Sequence, residues 1–224
     1  MTGRFITLEG GEGTGKSTQL RRLAAALQAQ GKHCLVTREP GGSPGAEEIR
    51  ALLVNGAPGR WDALTETLLL FAARADHVAR TIRPALEDGR FVVCDRFTDS
   101  TYAYQGVGRD MPRETIRRIE SIVLEDFKPD LTLILDLPPD VGLARAKSRG
   151  TAESRFENFD IQFHERLRQA FLDIAKRAPD RCIVIDAGGS EDEVADAVWD
   201  AVARRFHISP RSHGGSSREA ARGE

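Results

Sequence analysis

Disulfide and metal-binding patterns of cysteine are missing from this chain. Its 224 residues include three cysteines, Cys34, Cys94 and Cys182, and none of them forms a C-x-x-C motif. Each lies within an apolar, strand-like run, which is the usual setting of a buried and reduced thiol. The cysteines therefore predict a protein of a reducing compartment, without structural disulfides.

Long hydrophobic runs and a strong net charge are missing as well. No apolar stretch approaches the roughly 20 residues that a membrane-spanning helix needs. The first residues lead into a strand pattern without a charged-then-apolar signal segment. The formal net charge is −2 and the pI about 6.2, so the sequence offers no broad basic surface for nucleic acid. We expect a cytoplasmic protein whose partners include neither a membrane nor a nucleic acid.

What the chain does contain is an alternation of short apolar runs with longer amphipathic stretches. The runs predict strands at Arg4–Glu9, His33–Arg38, Phe91–Asp95, Leu131–Asp136 and Cys182–Asp186. The stretches predict helices at Lys16–Gln30, Gly45–Val54, Thr65–Ala79, Arg113–Phe127, Pro139–Ser148, Asp160–Ala178 and Glu191–Phe206. Such an alternation indicates an α/β fold, with a five-stranded parallel sheet and helices on both faces.

The composition changes after Phe206. Residues 207–224 are rich in Ser, Gly and Arg and contain almost no apolar side chain. Such a segment buries too little apolar surface to offset the entropy of ordering it. We therefore predict a single domain at residues 1–206 and a disordered C-terminal tail at residues 207–224.

The most specific motif is a glycine-rich segment between the first predicted strand and the first predicted helix. It fits G-x-x-x-x-G-K-[ST] and consists of Gly10, Gly11, Glu12, Gly13, Thr14, Gly15, Lys16 and Ser17. A loop of this kind turns its backbone N–H groups inward at a helix N-terminus and so binds phosphates. Lys16 supplies charge to the β- and γ-phosphates, and the Ser17 hydroxyl can bind Mg²⁺. The motif predicts a P-loop that binds ATP or GTP, with Thr18 as part of the same site.

A second dense segment, Asp95–Gly106, follows the third predicted strand. Ligands of a parallel sheet gather beyond the carboxyl ends of its strands, so Asp95 would lie level with the P-loop, where it could orient Mg²⁺. Arg96 offers a planar fork for a second phosphate. Tyr104 and Gln105 would follow one helical turn further on. On these residues alone, a solvated loop with core tyrosines is an equally good interpretation.

This segment resembles the thymidylate kinases, whose motif is D-R-[YF]-x-x-S-x-x-A-Y-Q. Its fixed positions are all present: Asp95, Arg96, Phe97, Ser100, Ala103, Tyr104 and Gln105. The family's T-R-E-P-G-G-[TS] stretch stands at Thr37–Ser43, and a helix like the family's at Phe71–Val78. The resemblance covers the chain from about Arg4 to Phe206.

The resemblance implies a P-loop NTPase fold of the nucleoside monophosphate kinase type, with a short lid. It implies transfer of the γ-phosphoryl group of ATP to dTMP, with Mg²⁺, and a homodimer formed through the Thr65–Ala79 and Arg113–Phe127 helices. A kinase of another nucleoside monophosphate or of a deoxynucleoside is the alternative. A GTPase or a regulatory ATP-binding module fits less well, because the chain lacks an N-K-x-D guanine motif.

The family's site residues carry over by position. On the donor side, the resemblance implies that Lys16 and the loop amides hold ATP and that Ser17 and Asp95 arrange Mg²⁺. On the acceptor side, it implies that Arg96 grips the dTMP phosphate and that Glu12 meets the sugar. The other implied acceptor residues are Arg38, Phe71, Arg74, Ser100, Tyr104 and Gln105. Tyr104 would stand near the 2′ position of the sugar and disfavour ribose. A solvent-exposed carboxylate at Glu12 and a surface arginine at Arg74 are the alternatives.

The chain departs from the family at the residue that stacks on thymine. In many relatives an aromatic residue lies four positions before the helix arginine, and here that position holds Leu70. Phe71 lies three positions before Arg74, on the same broad face of the helix. We favour Phe71 at the base and keep Leu70 as the alternative.

A second departure concerns the arginine that meets the transition-state charge. Some thymidylate kinases carry it in the P-loop after the acidic residue, where this chain has Gly13. Others place basic residues in a lid, and this chain has four between its fourth strand and the Asp160 helix: Arg145, Lys147, Arg149 and Arg155. We therefore predict a basic lid at about residues 145–158. Arg149 is expected to be catalytic, with Arg145 and Arg155 assisting; a solvated helix end is the alternative.

Overall fold

All five predicted strands form one parallel sheet in the computed structural model of the chain, which describes residues 3–55, 59–148 and 159–209. The strands are β1 (Arg4–Glu9), β2 (Cys34–Arg38), β3 (Phe91–Asp95), β4 (Leu131–Asp136) and β5 (Cys182–Asp186). Their order is β2-β3-β1-β4-β5, and every neighbouring pair runs parallel. The predicted α/β fold with a five-stranded parallel sheet is confirmed.

Helices cover both faces of this sheet. They are α1 (Lys16–Ala29), α2 (Pro44–Val54), α3 (Ala63–His77), α4 (Arg83–Glu87), α5 (Thr98–Thr101), α6 (Arg113–Leu124), α7 (Pro139–Ser148), α8 (Ile161–Arg177) and α9 (Glu191–Phe206). Two π-helical turns, at Val78–Ile82 and Tyr102–Val107, follow α3 and α5. In the described part of the chain, no helix is both long and apolar enough to cross a membrane.

The helix predicted at Thr65–Ala79 is longer than the sequence pattern indicated. It continues from α3 through the π-helical turn at Val78–Ile82 into α4, which contains Pro84. A proline inside an α-helix lacks an N–H donor and crowds the carbonyl group four residues earlier. A wider turn just before Pro84 relieves this conflict, so the helix can continue past the point where the apolar pattern fades.

The core holds the carboxyl ends of β1 and β3 in fixed positions. On one face of the sheet, α1 and α9 bury a cluster that includes Leu23, Leu27 and Trp199. On the other face, Phe5 of β1 packs edge-on against Phe97, with 5.0 Å between the ring centroids. Because β1 leads into the P-loop and β3 ends at Asp95, this packing sets the spacing between the two motifs.

The three thiols are free, as the sequence predicted. Cys94 and Cys182 are buried and Cys34 is partly buried. Burial raises the pKa of both Cys34 and Cys182 to about 11, which keeps these thiols protonated near neutral pH.

Part of the predicted tail belongs to the folded domain. His207 ends α9 in a left-handed conformation, and Ile208 donates its N–H to the carbonyl of Ala203 and packs against the core. The rest of the predicted tail, residues 210–224, lies outside the described residues. So do residues 149–158 of the predicted lid, with Arg149 and Arg155 among them.

Candidate active site

The P-loop lies at the carboxyl end of β1, as predicted. Gly10, Gly13 and Gly15 all have positive φ angles, of 136°, 69° and 86°, which let the loop curl above the N-terminus of α1. Lys16 folds back over the loop, and its Nζ donates to the carbonyl oxygens of Gly10 and Gly11 at 3.2 and 2.7 Å. Burial, and then the charge of Arg96, lower the pKa of Lys16 to about 8. The lysine is therefore held inside the loop, where a bound phosphate would compete for its hydrogen bonds.

Ser17 and Asp95 meet across the gap between the first turn of α1 and the end of β3. The Ser17 hydroxyl donates to Oδ2 of Asp95 at 3.0 Å. Mg²⁺ prefers oxygen ligands and needs only one or two protein side chains, because it keeps several of its waters. A hydroxyl and a carboxylate side by side next to a phosphate-binding loop fit this requirement.

Arg96 connects the P-loop to the segment that follows β3. Its Nη1 donates to the Gly10 carbonyl at 3.1 Å and to Oγ of Ser100 at 3.0 Å. Its Nη2 donates to Oε1 of Glu12 at 3.2 Å and to the Tyr104 hydroxyl at 2.9 Å. A guanidinium with these contacts can bind an anion that lies between the loop and the segment.

The charges around Arg96 reinforce one another. Burial on its own would raise the pKa of Glu12, but the positive charges of Arg96 and Lys16 outweigh it and lower that pKa. Tyr104 donates its hydroxyl proton to Oε1 of Glu12 at 2.6 Å. Glu12 is therefore an ionised acceptor inside the site, not a solvent-exposed loop carboxylate.

Glu9 is a site residue that the sequence analysis missed. The oxygens of its buried carboxyl group accept hydrogen bonds from the Phe97 N–H at 2.7 Å and from the Ser100 hydroxyl at 2.6 Å. It thereby holds the segment that directly follows Arg96, whose φ of 72° is unusual for a residue other than glycine. Burial, and then repulsion by Asp99, raise the pKa of Glu9 to about 8. The available signal was an acidic residue at the end of an apolar strand that leads into the P-loop.

A pocket of about 170 Å³ opens beside Arg96, between α2, α3 and the segment after β3. It is lined by six of the predicted site residues, namely Glu12, Arg74, Arg96, Ser100, Tyr104 and Gln105. Residues that were not predicted as site residues complete it, namely Glu39, Pro40, Arg50, Leu53, Val54, Glu66, Phe97 and Thr101, together with the alternative residue Leu70.

Arg74 is a buried pocket residue and not a surface arginine, because only 2% of it is exposed. Its Nε donates to Oε2 of Glu39 at 2.7 Å. Its Nη2 donates to the Phe97 carbonyl and to Oγ1 of Thr101, both at 3.2 Å. Within the described residues, its Nη1 has no hydrogen-bond partner. One donor of a buried guanidinium is thus left for a ligand to satisfy.

The expectation that Phe71 covers a base is not met by this geometry. Phe71 is 1% exposed and lies beneath Arg74, whose guanidinium carbon is 4.8 Å from the centroid of the ring. Leu70 lines the pocket instead. The reason is helical spacing, since Glu66, Leu70 and Arg74 are four residues apart and share one face of α3.

Arg38 also lies elsewhere than expected. Arg38 is half exposed and pairs with Glu47 at 3.1 Å, outside the residues that line the pocket. Neighbouring residues at the end of a strand point in opposite directions, so Glu39 enters the pocket in its place. Arg145 donates to the carbonyl oxygens of Ala187 and Gly188 at 3.0 and 3.4 Å. It therefore lies against the loop after β5.

Comparison with known proteins gives consistent matches. The family model described as thymidylate kinase matches residues 8–198. The thymidylate kinase of Caulobacter vibrioides is 59% identical over 206 residues, which cover 92% of this chain and 99% of the relative. That of Magnetococcus marinus is 51% identical over 209 residues, covering 93% and 100%. The crystal structure of thymidylate kinase from Ehrlichia chaffeensis superimposes with a TM-score of 0.73 at 34% identity, covering 90% of this chain and 99% of that chain.

Proposed function

Since the chain belongs to the thymidylate kinase family and phosphorylates dTMP to dTDP with ATP, we propose how its residues divide this reaction. In our proposal the P-loop, with Ser17 and Asp95, holds ATP, and the pocket beside Arg96 holds dTMP. The position of Arg96 carries the proposal, because its guanidinium contacts the Gly10 carbonyl of the loop and the pocket residues Ser100 and Tyr104 at once.

On the donor side, the loop amides and Lys16 bind the phosphates of ATP, with Thr18 beside them. Binding exchanges the carbonyl partners of Lys16 for phosphate oxygens. Ser17 and Asp95 would hold Mg²⁺, which supplies positive charge to the β- and γ-phosphates when it is bound. Arg145 lies against the loop after β5, and we assign it to the ATP site.

On the acceptor side, Arg96 binds the phosphate of dTMP, with Ser100 beside it. Glu12 and Tyr104 face the sugar, and the ring and hydroxyl of Tyr104 leave little room for a 2′-hydroxyl. The base lies against Leu70, next to Arg74 and Gln105. The support for this placement is the shared pocket and the unpaired Nη1 of Arg74, which suits an acceptor oxygen on the base.

Phosphoryl transfer needs two polyanions held in line and little covalent assistance from the protein. Lys16, from the P-loop, and Arg96, from the segment after β3, supply positive charge to the reacting phosphates. We propose that the remaining charge comes from the lid, with Arg149 as the catalytic arginine and Arg155 assisting. Support comes from Gly13, because a Cβ atom there would lie 1.8 Å from the Gly142 carbonyl oxygen. The loop position that carries an arginine in other family members therefore has no room for a side chain.

Replacement of Arg96 tests the division of the site. We expect Arg96→Ala to lower kcat/KM for dTMP by about a thousandfold or more, while the affinity for ATP changes by less than about threefold. The measurement combines a coupled ADP-release assay with ATP titration of each variant. Arg38→Ala is the matched control, because Arg38 is half exposed and lies outside the pocket. Unchanged turnover of Arg96→Ala would remove Arg96 from the acceptor site.

We also propose that the protein is a cytoplasmic homodimer. Leu64 and Leu68 of α3 are 46% and 49% exposed, and Ile122 of the adjacent helix α6 is 81% exposed. Large apolar side chains grouped on neighbouring helices are typical of an interface between subunits. The free thiols are in keeping with the reducing cytoplasm.

A further inference from the structure

Glu66 is a buried carboxylate at the acceptor pocket to which no sequence motif draws attention. It lies in the first turn of α3 and is 1% exposed. Its Oε1 accepts a hydrogen bond from Nε2 of Gln105 at 2.9 Å, and its Oε2 accepts one from Nη1 of Arg109 at 2.7 Å. Arg109 is itself anchored through Nη2 to the Trp61 carbonyl at 2.8 Å. Arg109 thus compensates the negative charge that Glu66 buries.

This arrangement fixes which way the amide of Gln105 points. An ionised carboxylate can only accept hydrogen bonds, so the NH₂ group of Gln105 must face Glu66. The carbonyl oxygen of the same amide then points away from Glu66. Gln105 is 3% exposed and lines the pocket, so rotation of its amide by 180° would set two acceptor oxygens against each other inside the protein. Such a contact costs at least the hydrogen bond that it replaces.

The pocket therefore offers one polar group that can only donate a hydrogen bond and one that can only accept. Arg74 contributes an unpaired N–H donor, and Gln105 contributes an acceptor oxygen. A 4-keto pyrimidine such as thymine presents the complementary pair, because its O4 accepts and its N3–H donates. Cytosine presents the opposite pair, with an amino donor at position 4 and an acceptor at N3.

We propose that Glu66, supported by Arg109, is a specificity-determining positioning residue that orients the Gln105 amide so that the pocket selects 4-keto over 4-amino pyrimidines. The inference rests on the placement of the dTMP base in this pocket. Sites that hydrogen-bond a polar group of the substrate discriminate strongly, since the wrong substrate leaves buried polar groups unpaired. Glu66 touches no substrate in this scheme and acts only through Gln105.

The test is Glu66→Gln, which keeps the shape of the side chain but allows it to donate as well as accept. The amide of Gln105 can then adopt either orientation. We expect the ratio of kcat/KM for dTMP over dCMP to fall by about tenfold or more, which corresponds to one neutral hydrogen bond. The ratio for dTMP over dUMP should stay within about twofold of the wild-type value, because thymine and uracil share O4 and N3–H. The KM for ATP should not change.

Two further variants control for poor folding of Glu66→Gln and for the chemical change itself. Glu66→Gln combined with Arg109→Gln removes both charges of the buried pair and should show the same selective change if the single variant folds poorly. Glu114→Gln makes the same chemical change in the exposed pair with Arg117 on α6 and should leave every ratio unchanged.

Two outcomes would overturn the proposal and leave Glu66 with a structural role only. One is an equal loss of kcat/KM for dTMP and for dCMP. The other is an unchanged ratio of the two kcat/KM values in both Glu66 variants. Arg74→Met distinguishes failure of the Glu66 proposal from failure of the proposed placement of dTMP in this pocket. If Arg74→Met left kcat/KM for dTMP at the wild-type value, the base would bind elsewhere, and both the placement and the role of Glu66 would fall.

Discussion

At the scale of the residue, the positive charges of the two arginines of the acceptor site, the partly buried Arg96 and the buried Arg74, are compensated in different ways. Arg96 donates to Glu12, to a tyrosine hydroxyl and to the Gly10 carbonyl. Arg74 pairs with Glu39, which is 6% exposed. Glu39 is held in turn by Nδ1 of His77 at 3.1 Å, and Nε2 of that ring contacts the Thr37 hydroxyl at 2.7 Å. The position of Arg74 thus depends on a chain of contacts that begins in β2.

Glu39→Gln should therefore destabilise the protein. Breaking a buried ion pair leaves an uncompensated charge, so we expect the free energy of unfolding to fall by about 3 kcal/mol. Denaturant unfolding without nucleotide measures this change. In the exposed pair, Glu114→Gln should cost less than about 1 kcal/mol. Equal losses in the two variants would show that the burial of Glu39 has no energetic consequence.

At the scale of the element, α7 and the P-loop approach each other through their backbones. A Cβ atom at Gly142 would lie 2.4 Å from the Glu12 carbonyl oxygen, and one at Gly13 would lie 1.8 Å from the Gly142 carbonyl oxygen. Two glycines facing each other allow this contact, which links the helix before the lid to the loop that binds ATP. The contact leaves no room at Gly13 for the P-loop arginine that some family members carry.

Gly13→Arg should consequently lower activity and not raise it. The new side chain must displace α7, and overpacking of this kind costs about 1–3 kcal/mol of folding free energy. Gly142→Ala should show a loss of similar size in thermal or denaturant unfolding without nucleotide. Gly11→Ala is the control for stability, since a Cβ atom there meets nothing within 4 Å. A Gly13→Arg protein with wild-type stability and higher kcat would contradict the proposed division between loop and lid.

At the scale of the whole molecule, the acceptor pocket and the proposed subunit interface share α3. Glu66, Leu70 and Arg74 face the pocket from one side of this helix, while Leu64 and Leu68 face outward. Assembly would therefore cover the apolar outer side of the helix that shapes the pocket.

Leu68→Asp should separate the proposed dimer. Burying a carboxylate in an apolar interface is costly, so the equilibrium should shift toward the monomer. Light scattering after gel filtration should give about 49 kDa for the unaltered chain, twice its 24.6 kDa, and about half of that for the variant. Val184→Asp, at an exposed position of β5, should remain dimeric. A monomeric unaltered chain would refute the dimer.

The fold was predictable from the sequence because its signals are local. Four of the five strands have the predicted bounds, and β2 starts one residue late. An apolar run or a glycine-rich loop is recognisable from a few neighbouring residues of the sequence. A parallel sheet then brings the carboxyl ends of its strands to one edge. The P-loop, Asp95 and Arg96 could be placed for this reason, and the D-R-F motif indicated the family.

The choice among neighbouring side chains was decided only in the tertiary structure. Leu70 instead of Phe71 lines the pocket, and Glu39 instead of Arg38, because helix and strand directions depend on what each element packs against. Glu9 contacts Ser100 across 91 positions and Glu66 contacts Gln105 across 39. Hydrogen bonds at such separations leave no periodic trace in a sequence, so the residues that hold the site together emerge only when the chain is folded.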